Sequence, residues 1–111
     1  VLFRSKRVQH DCEERSARFV VAFIPGHAEV DGALSIDTGS IRGQTACRQA
    51  FFACADELSL ETIDLLPYFK QAKEAGLSVR TTFARDMHWT ETGHAIAADA
   101  IASVLAEAVV R

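Results

Sequence analysis

Long hydrophobic runs are what this sequence most plainly lacks. No stretch approaches the roughly 18 consecutive apolar residues that span a bilayer, and the first residues do not follow the charged-then-apolar order of a secretory leader. Basic clusters are missing too. With a net charge of −3 and a pI near 5.8, the chain carries no electrostatic footprint for nucleic acid or an anionic membrane surface. Cysteine is scarce and odd in number: Cys12, Cys47 and Cys54 form no C-x-x-C pair. On one helix, Cys47 and Cys54 have their Cα atoms about 10 Å apart, beyond disulfide reach. All three are therefore expected to act as small apolar packers. What remains is 49% hydrophobic and 24% charged residues in 111 positions, the composition of one globular domain with one core.

Hydrophobic patterning supplies the elements. Residues 6–17, "KRVQHDCEERSA", are polar helix formers and read as the end of a surface helix. "RFVVAFIPG", Arg18 to Gly26, is β-branched and aromatic on both faces, which suits a strand buried between two layers of a parallel sheet. His27 to Gly43 is rich in glycine and turn formers and reads as a long loop with at most a short helix. Gln44 to Leu58 places Ala46, Ala50, Phe51, Cys54 and Leu58 three and four apart, an amphipathic helix. Ser59 to Leu65 reads as a second strand. Pro67 opens a further helix that Gly76 stops. Leu77 to Ala84, "LSVRTTFA", reads as a short strand or an extended arm. Thr90 is placed to cap a final helix with Glu91 in its first turn, and Ile96, Ala100, Ile101, Val104, Leu105 and Ala108 form its apolar stripe. Strands alternating with helices predict an α/β fold with parallel strands and right-handed crossovers.

The first five residues, Val1 to Ser5, back-translate to GTG CTC TTC CGA TCT, the tail of a common sequencing-adapter oligonucleotide, and are excluded from fold reasoning. The natural sequence is then expected to be residues 6–111, a portion of a longer domain. An incomplete sheet is expected to leave an unpaired strand edge and to self-associate.

Chemistry concentrates in "RDMHWTETGHAIAADAI", Arg85 to Ile101. In an extended segment, residues two apart project to the same side, so Asp86 can accept a hydrogen bond from the His88 imidazole. That bond fixes the tautomer and leaves the other ring nitrogen as a general base for a hydroxyl nucleophile. Short acid-x-His strings also occur as exposed polar pairs, so the pair alone does not establish a site. Asp86, His88 and His94 carry donors for a metal, but His94 lies six residues after His88 and lacks the i, i+4 relation of helical zinc pairs. No metal and no other cofactor is expected.

The wider pattern D-x-H-W-T-x-x-G-H-x-x-A-A-x-x-I, as it stands in Asp86 to Ile101, resembles the C-terminal signature of the SGNH (GDSL-type) esterase and acyltransferase superfamily. A strand ending in Ile24-Pro25, a second ending in Ile63-Asp64-Leu65, and the following Leu66-Pro67-x-Phe69 agree with it. The resemblance implies a three-layer α/β/α, flavodoxin-like fold of which this chain is the C-terminal part. It implies His88 as general base, Asp86 as the acid that orients it, and a small-molecule or carbohydrate ester as substrate, with many relatives acting outside the cytoplasm. Trp89 would either wall the substrate pocket or cap the core beneath the loop, and Gly93 would let the helix start pack closely against that loop.

The departures from the family pattern are equally specific. The superfamily's nucleophile is a serine in a G-D-S motif after the first strand, and its oxyanion hole includes an asparagine. This sequence has no G-D-S and no asparagine at all. The serine is then expected in sequence lost before residue 6. A permuted order, resembling alginate O-acetyltransferases with D-x-H-W ahead of the serine, would instead place it beyond Arg111. Ser40 in "IDTGSIRG" is the local alternative, although no buried strand leads into it. A non-catalytic α/β binding module is the competing reading from another class. A triad without its nucleophile forms no acyl-enzyme, so the chain alone is expected to be inactive.

Overall fold

Two parallel strands organise the computed structural model, which describes residues 2–31, 38–77 and 88–109. The element order is α1 (Leu2–Glu14), β1 (Val21–Phe23), α2 (His27–Asp31), α3 (Thr38–Glu57), β2 (Thr62–Asp64), α4 (Leu66–Glu74) and α5 (Glu91–Val109). Val21, Ala22 and Phe23 lie opposite Thr62, Ile63 and Asp64. The ladder is extended at its ends by Val21 N–H donating to Glu61 O (3.0 Å) and Leu65 N–H donating to Phe23 O (3.4 Å). Both strands therefore point the same way, as their unbroken apolar runs required.

Alternation along the strands assigns their faces. Phe23 projects to one side, where its ring meets Phe51 and Phe52 of α3 with centroids 4.8 and 5.7 Å away. Ala22 and Ile63 project to the other, into a core built from Leu65, Leu66, Phe69, Ala97 and Ala100. The sheet thus lies between α3 and the α4–α5 pair, the three-layer α/β arrangement expected. Small residues on the buried face of α5, Gly93, Ala97 and Ala100, let that helix sit close to the core, and Leu105 is left 38% exposed.

Helix ends follow local chemistry. Pro67 stands in the first turn of α4. Gly76 takes a left-handed φ of 81°, with its own N–H on Lys73 O and the Leu77 N–H on Ala72 O, which ends α4 where expected. Ser16 and Ser59 end α1 and α3 in the same left-handed region, at φ 55° and 54°, without glycine's steric freedom. The α1 surface joins the rest through side chains: Lys6 Nζ donates to Leu58 O and Gln9 Nε2 to Ser59 O.

Two expectations require correction. The segment read as a loop up to Gly43 is helical from Thr38, because six residues preceding Gln44 join α3 despite two glycines. The packed face of α3 keeps Phe51 and Leu58 of the expected stripe and is otherwise rotated from it. Cys47 and Cys54, expected in the core, are exposed, as are Ala46 and Ala50. The helix instead turns Thr45, Arg48, Phe51, Phe52 and Ala55 inward, since two phenylalanines and a paired arginine fill the space beside the sheet that small side chains would leave empty. The expected strand or arm over 77–84 lies outside the described residues apart from Leu77.

Phe69 is fully buried (0% exposed), so Phe69→Ala should lower unfolding free energy by about 3–5 kcal/mol, read from urea denaturation. A pH effect follows from the sheet's other end. The Arg18 guanidinium, donating both Nε and Nη2 to Glu61, holds that carboxyl below its ordinary range, chiefly by hydrogen bonding and against partial desolvation. A depressed folded-state pKa contributes stability above the ordinary glutamate value, lost as pH falls through the lowered one. Glu61→Gln should flatten the acid limb of the urea midpoint below about pH 4.5 without changing the neutral plateau's shape.

Candidate functional site

The carboxyl ends of parallel strands are where open α/β folds gather their functional groups. Here that edge is occupied by the β1–α2 turn, by Asp64 at the end of β2, and by the first turn of α4. At its centre stands Arg48 of α3. Its Nε donates to Glu29 Oε2 (3.0 Å) and its Nη1 to Asp64 Oδ2 (2.9 Å). The Glu29 side chain is 3% exposed and that of Arg48 20%. Thr45 Oγ1 donates to the same Glu29 oxygen at 3.2 Å, and the other, Oε1, is buried with no hydrogen-bond partner among the described residues. Hydrogen bonding to Glu29 raises the Arg48 pKa above its usual value, opposed by burial and reinforced by the charges of Asp64 and Glu29. The guanidinium stays charged, as burial beside two carboxylates demands.

Gln44, one turn before Arg48, fixes the same corner. Its Oε1 accepts the N–H groups of Ala28 (3.0 Å) and Glu29 (3.2 Å) at the start of α2. The side chain passes over Gly26 so closely that a Cβ there would overlap it. Glycine at 26 is what permits that approach. Asp64 in turn accepts the Leu66 N–H on Oδ1 at 3.1 Å, fixing the chain's turn from β2 into α4.

Of the sequence-predicted residues, Trp89 is the one that packs against the first turn of α4 beside this edge. His88 is exposed in the extended segment that precedes α5, followed by Trp89 in a single bridge pair and by Thr90. Asp86 lies outside the described residues. Trp89 is half-buried and packs against the core: its ring lies 5.5 Å from that of Phe69 in the first turn of α4, and 5.4 Å from the His94 ring, edge-on at 77°. Thr90 Oγ1 accepts the Gly93 N–H at 3.2 Å, the cap expected for α5, and His94 N–H bonds to Thr90 O. Gly93 is buried, as close packing beneath the loop required. His94 therefore serves as a ring partner of Trp89. Among the described residues no three His, Cys, Asp or Glu side chains gather into a metal-binding group. No described helix is long and apolar enough to cross a membrane. Ser40 falls in the first turn of α3.

Glu29, Arg48 and Asp64 were not singled out from the sequence, yet a signal existed. Drawn through Arg48, the positions 44, 45, 48, 51, 52 and 55 form one helical stripe, and a lone arginine between a glutamine and two phenylalanines on such a stripe implies a buried acid opposite it.

A parallel sheet between helical layers, with His88, Trp89 and Thr90 leading into the last helix, fits an α/β domain of the SGNH hydrolase-like class. Residues 4–110 match the family of the SGNH hydrolase-like domain of acetyltransferase AlgX, and the chain belongs to that family. No curated protein and no solved structure matches it.

Removing the Thr90 hydroxyl leaves the first turn of α5 without its side-chain cap. Thr90→Ala should cost about 1 kcal/mol of stability in urea unfolding, and Thr90→Ser should recover most of it.

Proposed function

We propose that this chain supplies the base and its orienting acid to an O-acyl-transferring or ester-cleaving site, with His88 as general base and Asp86 as the residue that fixes its tautomer. The observation that carries the reading is the anchoring of the loop. Trp89 is seated on Phe69, Thr90 caps α5, and His88, one residue earlier, is turned toward solvent.

In the proposed reaction the imidazole takes the proton of a serine hydroxyl as its oxygen attacks the acyl carbonyl. The imidazolium then returns the proton to the departing alcohol, leaving an acyl-serine. In the second half, the same nitrogen deprotonates an acceptor hydroxyl, or water, which takes the acyl group and frees the serine. The acetyltransferase character of the matched family favours an acceptor hydroxyl over water and acetyl as the group moved; the resemblance to carbohydrate-acting relatives makes a sugar hydroxyl the proposed acceptor. The resemblance of D-x-H-W to alginate O-acetyltransferases, with this family match beside it, favours the permuted arrangement, in which acid and base precede the serine, over the order expected from the adapter-like start. The serine is proposed to lie outside these 111 residues, since no G-D-S occurs among them.

Two measurements test this. In a longer natural polypeptide containing this segment, His88→Ala and Asp86→Asn should each lower kcat by about 10²–10⁴-fold at little cost in fold, judged by circular dichroism. The 111-residue chain alone should turn over a short-chain nitrophenyl ester no faster than its own His88→Ala variant; activity lost specifically in Ser40→Ala would overturn the external serine.

A further inference from the structure

Three contacts, with one turn of α4 between the second and third, lead from Arg48 to the residue beside His88. Arg48 Nη1 holds Asp64 Oδ2 at 2.9 Å, and Asp64 Oδ1 holds the Leu66 N–H at 3.1 Å. Leu66 opens α4, Phe69 follows within its first turn, and the Phe69 ring carries Trp89 at 5.5 Å. Trp89 is bonded directly to His88.

We propose that Arg48 is a positioning residue for the loop that presents His88, acting through Asp64 and the first turn of α4. The reason lies at its other end. Arg48 Nε is the cation on Glu29 Oε2, in a carboxylate whose side chain is 3% exposed and whose second oxygen already lacks a partner. Rotating the guanidinium away would strand a buried charge, so the planar fork is fixed in one orientation and its remaining nitrogen is delivered to Asp64. Asp64 is thus held on both oxygens, by a side chain from α3 and by the backbone of α4. The turn into α4 cannot drift, and Phe69 and Trp89 ride on that turn. Lysine offers a single ammonium without the planar fork that lets Arg48 give one nitrogen to each carboxylate. The inference rests on the reading of His88 as base only for its effect on turnover; the coupling to Trp89 is measurable without it.

Trp89 is the only tryptophan in the chain, so its fluorescence reports the loop directly. The 111-residue chain is compared as wild type, Arg48→Met, Arg48→Lys and Asp64→Asn, with far-UV circular dichroism to verify the folded state of each. The expected result is a red-shifted Trp89 emission and increased acrylamide quenching in Arg48→Met and Asp64→Asn, with Arg48→Lys between them and wild type. Asp64→Asn keeps the Glu29–Arg48 pair and the Leu66 acceptor, so it carries the test if Arg48→Met does not fold. Emission and quenching unchanged in folded variants would overturn the proposal, and so would a shift in Arg48→Met with none in Asp64→Asn, which removes the route through Asp64.

In the longer polypeptide, the same variants should lower kcat about 10²-fold with KM little altered. Turnover lost in His88→Ala while Trp89 stays unmoved in the Arg48 variants overturns the positioning role alone. A shifted Trp89 with turnover indifferent to His88 overturns the base assignment and supports the coupling.

Discussion

A buried carboxylate with one of its two oxygens unpartnered among the described residues is the constraint on which this arrangement depends. Glu29 sits in the first turn of α2 with one oxygen orphaned, and only Arg48 supplies positive charge to it among the described residues. An ion so enclosed tolerates little displacement of its counter-ion, because separation exposes each to a poorly polarisable interior. Three elements that share no backbone ladder, α2, α3 and the end of β2, are consequently tied at one point. The pair is weak evidence for net stability, since apolar replacements of such groups are often as stable; its effect is to specify one register of α3 against the sheet.

Around that point the two faces of the sheet solve packing differently. On the α3 side three phenylalanines cluster, Phe51 and Phe52 edge-on at 82°, filling volume with few residues. On the opposite side alanines and a glycine bring α5 close, and the bulk comes from Phe69 and the leucines of the β2–α4 turn. Trp89 joins this second layer at its margin. The loop before α5 is therefore an outgrowth of the core, and the ring beside the candidate base has hydrophobic support rather than a purely solvent-facing setting. Both roles weighed for Trp89 remain compatible with a half-buried ring, one face of which is committed to Phe69 and an edge to His94.

Much of this was legible in the chain. β1 and β2 were marked by short β-branched runs, α4 by Pro67 and Gly76, α5 by Thr90, and the parallel pairing by apolarity on both faces of Arg18 to Ile24. Such signals are local, and local chemistry decides them. The errors came where tertiary context overrode propensity. Glycines 39 and 43 argued for a loop, yet the chain from Thr38 is helical. Alanine and cysteine at helical spacing looked like a core stripe, but the same helix carries a second stripe whose aromatics bury more surface, and the larger gain prevails. Periodicity alone does not rank two stripes on one helix. For the site, the D-x-H-W-T pattern was readable because its residues are consecutive; the Glu29–Arg48–Asp64 tie was not, because its members lie 16 and 19 positions apart and meet only once the sheet forms. Asp86 falls outside the described residues, so its pairing with His88 remains a proposal.

The outward face of α3 has a practical consequence. Cys47 and Cys54 are exposed to solvent seven residues apart, at the margin of the packed face, each one turn along the helix from Phe51. A thiol-directed spin label or dye would find two attachment points at about two turns' separation on one helix, backed by an aromatic cluster. The same helix that anchors the buried charge thus offers a fixed external frame against which movements of α5 and its leading loop can be gauged as distances.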